Sequence, residues 1–215
     1  MAGVRYEHVI WDWNGTLFDD VELVVEVANL MLERRALPAI DADRYREIFG
    51  FPVRGYYERV GFDMEREPFE QLAVEFIAEY DARWATHRLR HDAHDAIGAL
   101  EQRGVTQSVL SASERELLRR ATAHFGIDRR MSALVGIDDH HAVTKLDHGL
   151  AYLERLETPR ERVLLVGDTE HDHEVAMAMG IDCALVEGGH ALGDRLRATG
   201  APTFGSLSDL LDSLD

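Results

Sequence analysis

The sequence predicts an α/β fold, a doubly wound parallel sheet that is interrupted after its first strand by a block of helices. Three observations lead to this prediction. An apolar run over residues 8–11 is typical of a buried strand, and it ends at a carboxylate, Asp12. Residues 19–88 show helical spacing without a strand pattern. Beyond residue 88, short apolar strands alternate with helices, as in the βαβ units of a parallel sheet.

The block of helices begins directly after the first strand and its turn. Asp19 and Asp20 are acids at a predicted helix start, where the helix dipole favours them. Apolar residues then recur at helical spacing until Pro38. The predicted helices begin at Val21, span 41–49 and 53–60, and continue from Pro68 to about His87.

Strands and helices alternate in the rest of the chain. The run 163–166 is the clearest buried strand, because it is continuously apolar. Glycines at 104, 126 and 180 end three of the helices. The predicted strands are 106–110, 133–137, 163–166 and 184–186. The predicted helices are 92–103, 114–125, 145–156 and 170–179.

Composition excludes several classes of partner. The chain of 215 residues is 46% apolar, which allows one core plus a small second lobe. No apolar run approaches the ~20 residues of a membrane span, so we expect no membrane partner. A net charge of -17 argues against nucleic acid, whose phosphates need clustered Lys and Arg. A single cysteine, Cys183, and the lack of a signal-peptide pattern favour a cytoplasmic location, while the oligomeric state is not indicated.

Polar side chains follow four strands of the predicted sheet. Ligands bind beyond the carboxyl ends of parallel strands, so these side chains are expected to share a site. Asp172 lies one helical turn after Asp168 and faces the same way. Clustered carboxylates repel one another unless a cation holds them, and hard oxygen ligands suit Mg²⁺. A helix cap is the competing interpretation of any single aspartate. The four strand ends carry Asp12, Ser111, Asp138 with Asp139, and Asp168.

The order of these motifs resembles that of a known family. Lys145 is the sole lysine among 23 basic residues, and it opens a predicted helix, where an exposed side chain is the competing interpretation. The run Asp12-x-Asn14-Gly15-Thr16-Leu17, then Ser111, Lys145 and Gly167-Asp168-x-x-x-Asp172, resembles the haloacid dehalogenase-like hydrolases, in their phosphoglycolate phosphatase-like branch. The resemblance covers nearly the whole chain. It implies a Rossmann-like core of residues 1–18 and 89–215, with residues 19–88 as a helical cap.

The resemblance also implies a role for each motif. Asp12 would attack phosphorus and form an aspartyl-phosphate. Ser111 would hydrogen-bond a phosphoryl oxygen, and Lys145 would place a cation on the developing charge. Mg²⁺ would be held by Asp12, the backbone carbonyl of Asn14, Asp168 and, through water, Asp172. Substrate binding is assigned to Gly15, Thr16, Ala112 and Arg54, and the substrate would be a small phosphorylated metabolite.

One residue departs from the family's pattern. Its phosphatases usually carry an aspartate where this chain has Asn14, and an amide can neither give nor take a proton. Three interpretations stay open: esters or anhydrides with good leaving groups, a substitute acid such as Asp19, His171 or His173, or weak activity in a phosphate-binding protein. A metal-free 2-haloacid dehalogenase is a further alternative, although Asp168 and Asp172 would be awkward without a metal.

Two groups of side chains have less specific interpretations. In the cap, Arg54, Tyr56 and Tyr57 would contact the organic part of a substrate, or the tyrosines would pack the cap's own core. Several histidines lie just past predicted strand ends, but their spacing matches no zinc pattern, and we expect them on the surface. They are His140, His141, His148, His171, His173 and His190.

Overall fold

The computed structural model describes residues 5–137 and 144–214. The elements alternate as βαβ units, apart from four consecutive helices near the start. In chain order they are β1 (His8–Trp11), β2 (Phe18–Asp19), α1 (Val21–Glu33), α2 (Ala42–Ile48), α3 (Val53–Val60), α4 (Phe69–Asp81), β3 (Arg88–Leu89), α5 (Ala93–Gln102), β4 (Thr106–Glu114), α6 (Arg115–His124), β5 (Ala133–Ile137), α7 (Lys145–Leu153), β6 (Val163–Gly167), α8 (Glu170–Met179), β7 (Asp182–Val186), α9 (Gly193–Ala198), β8 (Thr203–Phe204) and α10 (Leu207–Ser213).

Six strands form one parallel sheet in the order β5-β4-β1-β6-β7-β8. The central strand β1 is buried on both faces, as its unbroken apolar sequence predicts. Val9 and Trp11 face one core, together with α5 and α10, while Ile10 faces a second core with α7 and α8. The predicted doubly wound α/β fold is confirmed. No helix in the described part of the chain has the length and apolarity that crossing a bilayer requires.

The cap consists of α1 to α4 and lies between β2 and β3. These two strands pair antiparallel, with Phe18 opposite Leu89 and Asp19 opposite Arg88. The prediction of helices alone over 19–88 is therefore wrong at both ends of the block. Strands of two residues are too short to show the alternation by which strands are recognised. The predicted boundaries of core and cap fall inside this ribbon.

Several element bounds differ from those predicted. Helix α4 ends at Asp81 rather than about residue 87, and Trp84–Thr86 forms a separate 3₁₀ turn. The Trp84 ring is buried edge-on against His124 and Phe125, a tertiary contact that local spacing does not reveal. Strand β4 continues to Glu114, past the predicted end at residue 110. Helices α9 and α10 and strand β8 were not predicted.

His8 makes the fold sensitive to acid. Its ring is fully buried between the Thr106 and Ser108 hydroxyls, at 2.7 and 2.8 Å. Burial lowers the pKa of His8 from 6.5 to about 4, so protonation favours the unfolded chain.

We expect the free energy of unfolding to fall by about 3 kcal/mol as the pH drops from 6.5 through 4 because of this residue. Urea titrations at a series of pH values measure this loss. His8→Gln should lose less stability over the same range, whereas His91→Gln, a control at an exposed histidine, should follow the unsubstituted protein. Parallel curves for all three proteins would contradict the assignment.

Candidate active site

Three carboxylates meet at the carboxyl edge of the sheet. Asp12 follows β1 and Asp168 follows β6, and these strands are neighbours, with the Asp12 amide donating to the Val166 carbonyl at 2.8 Å. Asp172 lies in the first turn of α8. Each of the three offers an oxygen within 4.8 Å of the others, and all three are buried. The strand ends therefore converge as the parallel topology requires.

Lys145 supplies a cation to this cluster. Its Nζ donates to Asp12 at 2.5 Å and to Asp172 at 2.6 Å. Only 6% of the residue is exposed, which rules out a solvated surface lysine. A capping box between Thr144 and Asp147 starts α7 one residue earlier, so the first turn of the helix is held in place beside the carboxylates.

The cluster contains more buried acids than buried bases. Burial raises the pKa of Asp12 to about 8 against the opposing charge of Lys145, and burial raises the pKa of Asp168 to about 6. Burial alone would lower the pKa of Lys145, but the Asp12 and Asp172 carboxylates outweigh it and raise that pKa. Four buried acids surround two buried bases; the acids are Asp12, Asp20, Asp168 and Asp172, and the bases are Lys145 and His190.

That imbalance suits a divalent cation. When all six groups are ionised, two negative charges stay uncompensated in a buried site, which is costly unless a counterion binds. The available donors are carboxylate oxygens, the ligands that Mg²⁺ prefers. Asp172 Oδ2 already accepts from the backbone amides of Asp168 and Thr169. The donor set therefore fits Mg²⁺, with Asp12 and Asp168 less committed to the backbone than Asp172.

The turn after β1 fixes two of the site carboxylates, Asp20 and Asp168. Gly15 has φ of +74°, and a Cβ there would lie 2.3 Å from Asp168 Oδ2. The Gly15 amide donates to Asp20 at 2.9 Å, and the Thr16 hydroxyl donates to Asp168 at 3.0 Å. Gly15 and Thr16 thus act on the acids of the site, and their predicted contact with substrate stays a prediction.

The Asn14 side chain is fully engaged. Its Nδ2 donates to Asp20 Oδ2 at 2.7 Å and to the Tyr80 hydroxyl at 2.8 Å. Its Oδ1 accepts from the Ser113 hydroxyl at 2.8 Å. Asn14 therefore joins the first loop, cap helix α4 and strand β4, and its amide is too weak an acid and base to transfer a proton in catalysis.

Asp20 and His190 form a buried pair that the sequence did not reveal. His190 Nε2 lies 3.1 Å from Asp20 Oδ1, Nδ1 lies 2.8 Å from the Tyr45 hydroxyl, and the His190 amide donates to Asp168 at 2.6 Å. Burial would lower the pKa of His190, but the Asp20 carboxylate outweighs it and raises that pKa to about 9. The predicted surface position is wrong for His190, which is 5% exposed.

A sequence signal for this pair did exist. His190 follows Gly188 and Gly189 at the end of β7, the same strand-end position that identified Asp12. Asp20 precedes α1, and we interpreted it as a helix-start acid. Its side chain makes no cap hydrogen bond and turns into the site instead. The role of Asp20 was hidden because an acid directly before a helix is equally consistent with a helix cap and with a site carboxylate.

Other predicted residues lie at different distances from the cluster. The Ser111 hydroxyl is buried and accepts from the Ser113 amide at 3.0 Å, while Ala112 and Ser113 line the adjoining cavity. Arg54 is exposed on α3, 3.9 Å from Glu58, and does not line that cavity, whereas Tyr56 and Tyr57 are buried in the cap and do.

The proposed substitutes for the missing acid are also spread out. Asp19 is half-exposed and pairs with Arg88 at 3.6 Å, facing away from the cluster formed by its neighbour Asp20. His171 is half-buried, stacks on Phe51 and lines the cavity, while His173 does not. His148 is half-buried. Asp138, Asp139, His140 and His141 lie outside the described residues.

Comparison with known proteins identifies the family. Residues 9–186 match the family model of the haloacid dehalogenase-like hydrolases. The chain belongs to this family. The predicted resemblance is confirmed at that level, and the carboxylates of the cluster lie inside the matched region.

Relatives in this family carry several names. Tyrosine-protein kinase PtkA of Mycobacterium tuberculosis is 31% identical over 89% of this chain, which spans 65% of the length of that kinase. A phosphoglycolate phosphatase of Xanthomonas campestris is 26% identical, covering 86% of this chain and 85% of its own. The fold matches a predicted phosphatase from Clostridium acetobutylicum with a TM-score of 0.81 at 20% identity, over 97% of this chain and 98% of that one.

Proposed function

We propose that this chain is a Mg²⁺-dependent phosphatase that hydrolyses small phosphomonoesters through an aspartyl-phosphate on Asp12. One observation carries the proposal: Asp12 lies buried against Lys145 and beside Asp168, at the strand ends and at the end of a cavity under the cap. The nucleophile of a phosphoryl transfer needs a cation at the developing charge and a fixed position from which it can reach phosphorus. Family membership and relatives named as phosphatases support the same activity.

The reaction has two displacements. A carboxylate oxygen of Asp12 attacks phosphorus, and the bond between phosphorus and the ester oxygen breaks, so that the leaving oxygen takes the electron pair. Water then attacks phosphorus in the aspartyl-phosphate, which releases inorganic phosphate and restores the carboxylate. Lys145 stabilises the charge that develops on the phosphoryl oxygens, because its Nζ is only 2.5 Å from the attacking group.

Mg²⁺ would be held by Asp12 and Asp168, with the backbone carbonyl of Asn14 as a further ligand and Asp172 behind them. It would supply neutralisation of charge where an anionic phosphate meets an anionic nucleophile. Asp172 fixes the site from behind, because it binds Lys145 and the backbone of residues 168–169 at once. The same excess of carboxylates disfavours the metal-free dehalogenase as an alternative.

A second candidate, transfer of a phosphoryl group to a tyrosine, comes from the relatives named tyrosine-protein kinase. Both activities can begin from a phosphorylated enzyme. Incubation with ATP labelled at the γ-phosphate distinguishes them. Label that hydroxylamine removes marks an acyl-phosphate on Asp12, whereas label that survives alkali on a tyrosine marks a kinase.

The test of the proposed function is turnover of p-nitrophenyl phosphate with Mg²⁺ present. We expect hydrolysis that falls about 10²-fold when a chelator removes the metal, because a bound cation supplies several kcal/mol to the transition state. Adding back Mg²⁺ in excess should restore the rate. Mg²⁺ should also raise the melting temperature, since it binds only the folded site.

The outcome separates the alternatives. Chloride release from a 2-chloroacid that persists with chelator would support the dehalogenase. Absence of turnover, together with phosphate binding measured by calorimetry, would support a phosphate-binding protein and overturn the proposal.

A further inference from the structure

The cavity above Asp12 is lined on its far side by aromatic and aliphatic side chains of the cap. It has a volume of about 440 Å³ and joins the carboxylate cluster at one end to helices α3 and α4 at the other. The walls away from the cluster are formed mainly by apolar and ring-bearing residues: Val24, Phe49, Phe51, Val53, Tyr56, Tyr57, Phe69, Phe76, Ile77 and Tyr80.

These walls offer little to a charged or polyhydroxylated leaving group. Lys145 and His190, the two buried bases that line the cavity, are both paired, Lys145 with Asp12 and Asp172 and His190 with Asp20. The Tyr80 hydroxyl is committed to Asp20, and that of Tyr45 to His190. A carboxylate or sugar in contact with these apolar walls would lose its hydration without gaining partners there, although the polar residues Ser113, Glu114 and His171 also line the cavity. An apolar ring would bury its surface favourably.

The chemistry at Asn14 restricts the leaving group independently. No side chain at that position can protonate the departing oxygen, and the amide is held by Asp20, Tyr80 and Ser113. An alkoxide leaves poorly without a proton, since the pKa of its conjugate acid is close to that of water, about 15.7. The pKa of a phenol is about 10, so a phenoxide leaves without such help.

We propose that the substrates are aryl phosphomonoesters, in which an uncharged aromatic ring occupies the cap cavity and leaves as a phenoxide. This inference rests on the proposed phosphatase function and narrows its substrate class. Bond cleavage sends the electron pair to the phenolic oxygen, and solvent supplies the proton afterwards. The cavity selects the ring, and the lack of an acid at residue 14 selects the leaving group.

Three esters and one acyl phosphate separate these two effects. Phenyl phosphate has an apolar ring and a good leaving group, and cyclohexyl phosphate has an apolar ring of similar size and a poor leaving group. Acetyl phosphate has a small polar group and a good leaving group, and phosphoglycolate has an anionic group and a poor leaving group. We expect similar KM values for the first two, with kcat for cyclohexyl phosphate about 10²-fold lower. Acetyl phosphate should show a KM raised on the order of tenfold or more. Phosphoglycolate should have the highest KM and the lowest kcat of the four compounds.

Helix α4 provides a matched pair of variants. Ile77 lines the cavity and is 46% exposed, while Val74 on the same helix is 63% exposed and lies outside it. Ile77→Lys should raise KM for phenyl phosphate about tenfold and lower it for phosphoglycolate, because a cation now meets the leaving group. Val74→Lys should leave both values unchanged. Both sites are solvent-accessible, so the lysine can be accommodated.

The binding of phosphonates keeps the two proposals distinguishable. Calorimetry with phenylphosphonate and methylphosphonate measures the preference of the cavity without turnover, and phenylphosphonate should bind at least about tenfold tighter. If esters are hydrolysed but phosphoglycolate equals or exceeds phenyl phosphate, the substrate class is wrong and the phosphatase stands. If no ester turns over while phenylphosphonate binds tighter, the phosphatase is wrong and the aromatic preference stands. Equal binding of both phosphonates overturns the inference.

Discussion

Replacing Asp12 by asparagine is expected to lower kcat/KM for p-nitrophenyl phosphate by a factor on the order of 10⁴ or more. The substitution removes the oxygen nucleophile while keeping the size of the side chain, and no other described carboxylate occupies the end of β1. The folded state should not suffer, because one of four buried acids is removed from a site with only two bases. Steady-state kinetics and a melting curve measure both effects.

Asp19→Asn is the matched control. Asp19 lies in the same loop but is half-exposed and paired with Arg88, so its loss should leave the rate within a factor of about three. Mass spectrometry of acid-quenched enzyme should find a phosphoryl group on Asp12 in the unsubstituted protein and none in Asp12→Asn. A variant that keeps a tenth or more of the activity would show that the nucleophile is elsewhere.

Replacing Lys145 by methionine has the second largest expected effect. The change leaves Asp12 and Asp172 buried without the ammonium that bridges them at 2.5 and 2.6 Å. Removing one partner of a buried ion pair costs about 3–5 kcal/mol of stability, because the remaining charge is uncompensated. Loss of the cation at the phosphoryl group should also lower kcat about 10³-fold. Urea unfolding and steady-state kinetics measure the two losses.

Mg²⁺ should recover part of the stability of Lys145→Met, since the cation neutralises the same carboxylates, but should not recover the rate. The control is Arg130→Met, which breaks a partly exposed pair with Glu101 at 2.7 Å and should cost less than about 1 kcal/mol. If Lys145→Met were as stable as the control variant without metal, the buried cluster would not be charged as described.

Local sequence pattern was sufficient where an element satisfies its own requirements. The bounds of β1, α3, β5 and α8 agree with the predicted ones, because continuous apolar runs and helical spacing operate within a few residues. The antiparallel ribbon of β2 and β3 was missed, since each strand is stabilised by a partner about seventy residues away. The early end of α4 likewise depends on where Trp84 finds a buried position.

The site residues likewise fall into those that the sequence predicts and those that only the tertiary structure brings together. Asp12, Asp168 and Asp172 could be predicted as a group, because the ends of parallel strands and the adjoining helix start converge on one edge of the sheet, and the family resemblance added Lys145. Asp20 and His190 were interpreted as a helix-start acid and a surface histidine. Neither reveals its role alone, and the two meet only when the cap and β7 are folded together.

The sequence by itself determined the α/β architecture, the position of the inserted helices and the carboxylates at the strand ends. These follow from periodicity and from the rule that parallel strands place their ends together, while Lys145 was assigned to the site through the family resemblance. Only the tertiary structure decided which polar side chains turn inward, how Asn14 is held and what the cap presents to a substrate. Those features depend on contacts between residues far apart in the chain, whose burial and pairing no local pattern encodes.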